Sequence, residues 1–173
     1  MSARPAVSDA GAASLKALLE SLRDSLRALF TQRLDAQARR AGQVQQQLLL
    51  GLELLWKIEE QVLLPALGGV RSGVSAAEVQ HATDELDVMR DLALLVTQTN
   101  SSNREITFSV LEGLALLHFA RGAELLDQAY AGAADWPTLE REVRGLLGRW
   151  QLEVQVHGEV EDEDRDPVGL PPR

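Results

Sequence analysis

The chain contains no cysteine. That removes disulfide frameworks, thiolate nucleophiles and zinc–thiolate sites together. Isoleucine occurs twice and threonine six times, against 31 leucines and 22 alanines. This balance disfavours sheet and favours helix. Basic residues are the minority, 17 against 26 acidic ones, for a net charge of −9. Non-specific nucleic-acid binding needs a basic surface to displace counterions, so the balance argues against it. No apolar run reaches the ~20 residues that cross a bilayer. The chain also has no Gly-rich phosphate loop between strand and helix, no G-x-S-x-G elbow and no zincin motif. Its serines have no histidine nearby in sequence, so nothing supports a nucleophilic triad. The N-terminus, "MSARPAVSDAGAAS", has no apolar core of the secretory type, and a cytoplasmic protein is the expectation.

A length of 173 residues fits one domain large enough to bury a core. Residues 1–47 carry seven basic and four acidic side chains, which leaves the remainder at −12. Six acids lie in "EVEDEDRD", residues 159–166, a run that reads as a solvated tail. The expected division is a loose arm over 1–13, a helical domain over 14–158 and an acidic, disordered tail over 159–173.

Apolar residues recur at 3.6-residue spacing from Ser14 onward, and five helices follow. Helix A, about 14–40, is capped by Ser14 and breaks near Ala41-Gly42. Its stripe is Leu15, Leu18, Leu19, Leu22, Leu26, Leu29 and Phe30, with Lys16, Glu20, Arg23, Asp24 and Arg27 elsewhere. Helix B, about 43–67, is apolar nearly all round, with a narrow wet face of Glu53, Lys57 and Glu60. Such a helix is central in its domain. Pro65 and Gly68-Gly69 end it. Ser75 and Glu78 form a capping box for helix C, which runs to about Thr99. There Val79, Ala82, Leu86, Met89, Ala93 and Val96 face inward. Helix D, about 104–130, has Ile106, Val110, Leu114, Leu117 and Leu125 as apolar positions. Asp135 caps helix E, with Pro137 in its first turn. The fold class is all-α: an up-down-up-down four-helix bundle with an additional C-terminal fifth helix.

The informative residues are polar ones on apolar stripes. Along helix B the stripe Val44, Leu48, Leu52, Leu55 continues through Glu59 to Val62, Leu63 and Ala66. A buried carboxylate is costly unless it is paired, protonated or bound to a metal. His118 interrupts Leu111, Leu114, Leu125 and Ala129 on helix D in the same way, and Gly122 leaves a gap one turn on. On helix C, His81 and Glu85 are four apart and continue into Val88, Leu92 and Leu95, a flank of the core face. His157 and Glu161 repeat the spacing on helix E. Imidazole and carboxylate on one helix face suit iron, zinc or manganese. Each residue also has an ordinary reading: a satisfied core histidine, a surface hydrogen bond, or a glutamate paired with an arginine such as Arg121.

The stretch "LLWKIEEQVLLPAL", residues 54–67, resembles the second bundle helix of the bacterial hemerythrin-like (HHE) cation-binding family. Trp56 takes the aromatic place, Glu59-Glu60 the acidic pair and Pro65 the terminal proline, while Leu55 stands at the histidine position. "LLHFARGAELL", residues 116–126, supplies His118 and Phe119 in register, with Gly122 where a ligand glutamate belongs. "HGEVEDEDRDP", residues 157–167, offers His157 and Glu161 in a more acidic context. The resemblance covers roughly residues 14–130 and implies a metal site drawn from Glu59, His118, His81 and Glu85, with His157 and Glu161 as secondary candidates. Hemerythrin-type di-iron sites take about five histidines, and this chain has three. The resemblance therefore implies a degenerate member with a lost or vestigial site. No catalytic or cofactor-binding residue emerges, and no cofactor is expected. Iron or another divalent metal is the candidate if a site persists. The function read from the sequence is a non-enzymatic structural or partner-binding bundle, with a homodimer through helix B or helix E. The alternative is a mononuclear or weak divalent-metal-binding or sensing bundle.

Overall fold

A computed structural model describes residues 7–35, 38–69, 73–99, 101–130 and 135–163, with side chains over 14–34, 41–69, 73–99, 103–129 and 135–150. Every regular element among them is helical. These are α1 (Val7–Asp35), α2 (Ala38–Ile58), a π-helical turn (Glu59–Leu63), α3 (Leu64–Leu67), α4 (Ala76–Gln98), α5 (Ser101–Tyr130) and α6 (Trp136–Glu163). The chain is all-α, as its leucine- and alanine-rich composition requires. No described helix is long and apolar enough to cross a membrane.

The second rod is continuous from α2 through the π turn into α3. The turn is closed by the Leu64 amide donating to the Glu59 carbonyl, five residues back. It lies directly before Pro65, which brings no N–H and whose ring crowds the carbonyl four residues back in a regular helix. Widening that turn relieves the crowding and keeps Glu59, Val62 and Leu63 all buried.

Rods consecutive in the chain are joined by cross-rod contacts, and contacts at two heights, Gly51 with Leu26 and Glu59 with Arg23, set α2 antiparallel to α1. Gly51 of α2 lies against Leu26 of α1, and Arg90 of α4 pairs with Glu60 of the π turn at 2.6 Å. The α4–α5 corner is tied by Arg104 donating to the Thr99 carbonyl. Between α1 and α5, Arg33 pairs with Glu105 and lies over the Phe108 ring. Helix α6 packs on α1, α2 and the π turn, and the Ser14 hydroxyl donates to its Glu140.

The core draws on all five rods, with Leu19, Leu26, Phe30, Leu48, Leu52, Leu55, Leu86, Met89, Phe108, Leu111, Phe119 and Val143 among its members. The Ser75–Glu78 capping box is present in both directions, and Asp135 accepts from the Thr138 amide and hydroxyl at the start of α6. Three boundaries differ from the sequence reading. Helix α1 starts at Val7 rather than Ser14, because the alanine-rich residues ahead of Ser14 continue the helix. Helix α1 extends to Asp35 and α2 begins at Ala38, so Gly42 sits inside α2 with open space beside it. Helix α6 continues to Glu163, into the acidic run.

The larger correction concerns α5 and the flank of α4. Leu125 is buried and Leu114 partly so, but Ile106, Val110 and Leu117 point outward, Leu117 at 68% exposure. Val88 and Leu95 on α4 are exposed too. Apolar residues stand all round α5 between Ile106 and Ala120, and the inner face is the one that carries Leu111, His118, Leu125 and Ala129. Phe108, Ala115 and Phe119 are buried with them.

Candidate functional site

The polar residues that interrupt the apolar stripes meet in the core. His118 on α5 is 2% exposed and Glu59, at the first position of the π turn, is 4% exposed. His118 Nε2 lies 2.7 Å from Glu59 Oε2, and its Nδ1 lies 2.9 Å from Glu85 Oε2 on α4. A carboxylate oxygen therefore stands against each ring nitrogen. Both nitrogens can donate only in the imidazolium form. Burial, the largest single influence, pulls the His118 pKa down. The hydrogen bonds and charges of Glu59 and then Glu85 together outweigh it, and the pKa is raised above the ordinary histidine value.

The line of charges extends at both ends. Arg23 of α1, 1% exposed, places Nη2 3.4 Å from Glu59 Oε1 and Nη1 3.0 Å from Glu20. At the other end, Arg121 Nη1 lies 2.8 Å from Glu85 Oε1, an ion pair not directed as a hydrogen bond. His81 Nε2 approaches the same oxygen at 3.5 Å, with its side chain 58% exposed. Signs alternate along the whole line: Glu20, Arg23, Glu59, His118, Glu85, Arg121.

Gly122 belongs to this arrangement. A Cβ there would lie 2.5 Å from Arg23 Nη2, so the missing side chain is the space the guanidinium fills. A cavity of about 20 Å³, lined in part by Arg23, Glu59, Leu63, His118, Gly122 and Leu125, adjoins the network. It has room for one water molecule. Larger grooves lie elsewhere: one of about 380 Å³ between α2 and α4 beside Trp56 and Leu94, and one of about 320 Å³ beside Gln61, Arg141 and Arg149.

The sequence singled out Glu59, His118, His81 and Glu85, and the fold brings these four together. They do not converge on a point. Glu59 and Glu85 address opposite nitrogens of His118, and the guanidinium of Arg23 stands beside the remaining Glu59 oxygen. A divalent cation between Glu59 and His118 would have to displace the imidazolium proton and would face Arg23 at close range. Among the described residues, no three His, Cys, Asp or Glu side chains are placed to hold one metal ion. The donor set thus does not fit a metal. Leu55, at the resemblance's histidine position, is fully buried among apolar side chains. His157 and Glu161 lie outside the residues whose side chains are described.

Sequence reasoning missed Arg23, placed off the stripe of helix A. Its spacing carried the signal, since Leu19, Arg23, Leu26 and Phe30 advance by four, three and four on one face. Chemically the network neutralises itself, couples four rods and exposes no buried nucleophile. Compared with known proteins, the chain matches no family model, no curated protein and no solved structure.

Proposed function

We propose that the protein is a non-enzymatic helical bundle that works through its surface, docking a protein partner on the outer face of the α4–α5 pair. The observation that carries this reading is the set of large apolar side chains left in water there: Val88 and Leu95 on α4, and Ile106, Val110 and Leu117 on α5. At 100° per residue, Ile106, Val110, Gly113 and Leu117 form one stripe opposite the buried Phe108, Leu111, Ala115 and Phe119. Glu85, one turn before Val88, touches His118 and Arg121, so Val88 and the half-buried Leu92 lie on the side of α4 that adjoins α5. Scattered exposed leucines need no explanation, but a contiguous apolar face marks an interaction site.

Helix α6 packs on the α1–α2 side of the molecule, and among the described residues α2 leaves no large apolar side chain exposed, with Leu49 and Leu50 half-buried. Among the described residues the exposed apolar face is therefore on α4 and α5 rather than on helix B or helix E. The metal-binding alternative has less support, because Arg23 and the imidazolium already supply the positive charge that Glu59 and Glu85 require.

The reading is tested on dilute, monomeric protein with an apolar fluorescent dye. Wild type is expected to bind the dye and Leu117→Glu to lose most of that binding at unchanged helicity. Elemental analysis after chelator-free purification is expected to find no stoichiometric metal. A wild type that does not bind the dye overturns the surface reading. One equivalent of iron or zinc, lost in Glu59→Gln, restores the metal alternative.

A further inference from the structure

We propose that the occupant of the α4–α5 face is a second copy of the same chain, related by a two-fold axis parallel to the helices. This rests on the partner-binding reading and narrows it to one partner. No spare segment of the chain itself suits the face. Residues 159–166 hold six acids, residues 1–13 hold only Met1, Pro5 and Val7 as apolar side chains larger than alanine, and residues 164–173 only Val168, Leu170 and three prolines. Helix α6 is already engaged on α1 and α2.

Size, composition and charge each favour self-association. Two helices of more than 20 residues present a face of about 35 by 20 Å, or roughly 700 Å² per copy, close to the ~800 Å² per partner of a standard interface. Between Ile106 and Leu117 the outward stripe of α5 carries no charge, the composition of a homodimer interface core. The border of the face carries both signs, with Asp84 on α4 and Arg121 on α5, so it can complement itself, while Asp91 falls between Val88 and Leu95 on the face.

An axis parallel to the helices sets α4 of one copy over α5 of the other at equal height. The contact of Glu85 with His118 and Arg121 fixes those heights. Val88 then meets the partner's Leu114 and Leu117, Leu95 meets the partner's Ile106 and Val110, and Asp84 meets the partner's Arg121. Each contact occurs twice, as an isologous interface demands. Two chains of net charge −9 repel at long range, so added salt strengthens this dimer. A basic partner docked by charge would be weakened by it.

The absence of cysteine makes the geometry directly testable on the full chain. Val88→Cys and Leu117→Cys are prepared separately, mixed and oxidised. A covalent heterodimer is expected from the mixture and little from either variant alone, since only the 88–117 pair comes within disulfide reach. Light scattering across a dilution series is expected to show a monomer–dimer equilibrium. Leu117→Glu and Val110→Glu, at positions more than half exposed, are expected to raise its dissociation constant at least about tenfold. Leu34→Glu, equally exposed on α1, is expected to leave it unchanged. A dimer that survives both face variants overturns the proposal, and so does a mixture that crosslinks no better than its components. A monomer at every concentration also overturns it. Dye binding that Leu117→Glu removes would then leave the partner-binding reading standing for another protein, and no dye binding would remove both.

Discussion

Glu59 is held by buried Arg23 and His118, and its replacement is where the energetics of the core become measurable. Removing one member of a buried ionic group strands the others, at a typical cost of about 3–5 kcal/mol. Glu59→Leu continues the stripe from Leu55 to Val62 but leaves Arg23 facing a void and His118 one partner short. Urea unfolding is expected to show a loss of about 3 kcal/mol, and a neutral or stabilised variant would mean that Arg23 finds water instead. His118 gives a pH signature. Its pKa is raised in the folded state, so its stabilising contribution is complete below the unfolded value of about 6.5 and is lost as pH rises through the higher folded value. Unfolding free energy is expected to fall over that window in wild type and to be flatter in His118→Gln. An unchanged slope would place the proton elsewhere.

At the scale of elements, α5 allows a paired test. Gly113 and Gly122 lie on the same helix, and alanine is the better helix former by about 1 kcal/mol at both. Gly113 has nothing within 4 Å of its would-be Cβ, whereas Gly122 meets Arg23 Nη2 at 2.5 Å. Gly113→Ala is expected to raise stability by about 0.5–1 kcal/mol. Gly122→Ala is expected to lower it by about 1–3 kcal/mol, because Arg23 must give up its place against Glu59. Thermal melts of the two variants check both signs, and a stabilised Gly122→Ala would remove the claim that this glycine makes space for the guanidinium. Element types were plain in the sequence because leucine spacing, the Ser75–Glu78 box and Asp135 act locally. Glu59 and His118 were legible as interruptions of a stripe. Two things were not. The exposure of Ile106, Val110 and Leu117 could not be read because both faces of α5 are apolar, and Arg23 was hidden because a long charged side chain is ordinarily solvated. Its burial depends on Glu59, 36 residues away, and on the missing side chain at Gly122.

For the whole molecule, charge compensation of Glu59 and Glu85 by Arg23, His118 and Arg121 predicts indifference to chelators. Exhaustive EDTA treatment and re-addition of zinc, manganese or iron are each expected to leave the unfolding midpoint unchanged. A rise with metal that Glu59→Gln abolishes would reinstate a cation in the core.

The alternating line from Glu20 to Arg121 has one more consequence. A core built largely of leucine is degenerate: sliding one rod by a turn, or swapping which rods adjoin, exchanges leucine for leucine at little cost. The charge line tolerates no such shift, since a one-turn slip of α5 moves His118 and Arg121 from their carboxylates and strands Glu85. It therefore acts as a registry key that selects one alignment among many of similar apolar energy. Replacing the set together, with Arg23→Met, Glu59→Leu, His118→Phe and Glu85→Leu, is expected to keep helicity and much of the stability. It is also expected to broaden the amide spectrum into several slowly exchanging forms, whereas a single sharp set of resonances would show that leucine packing alone holds the rods in line.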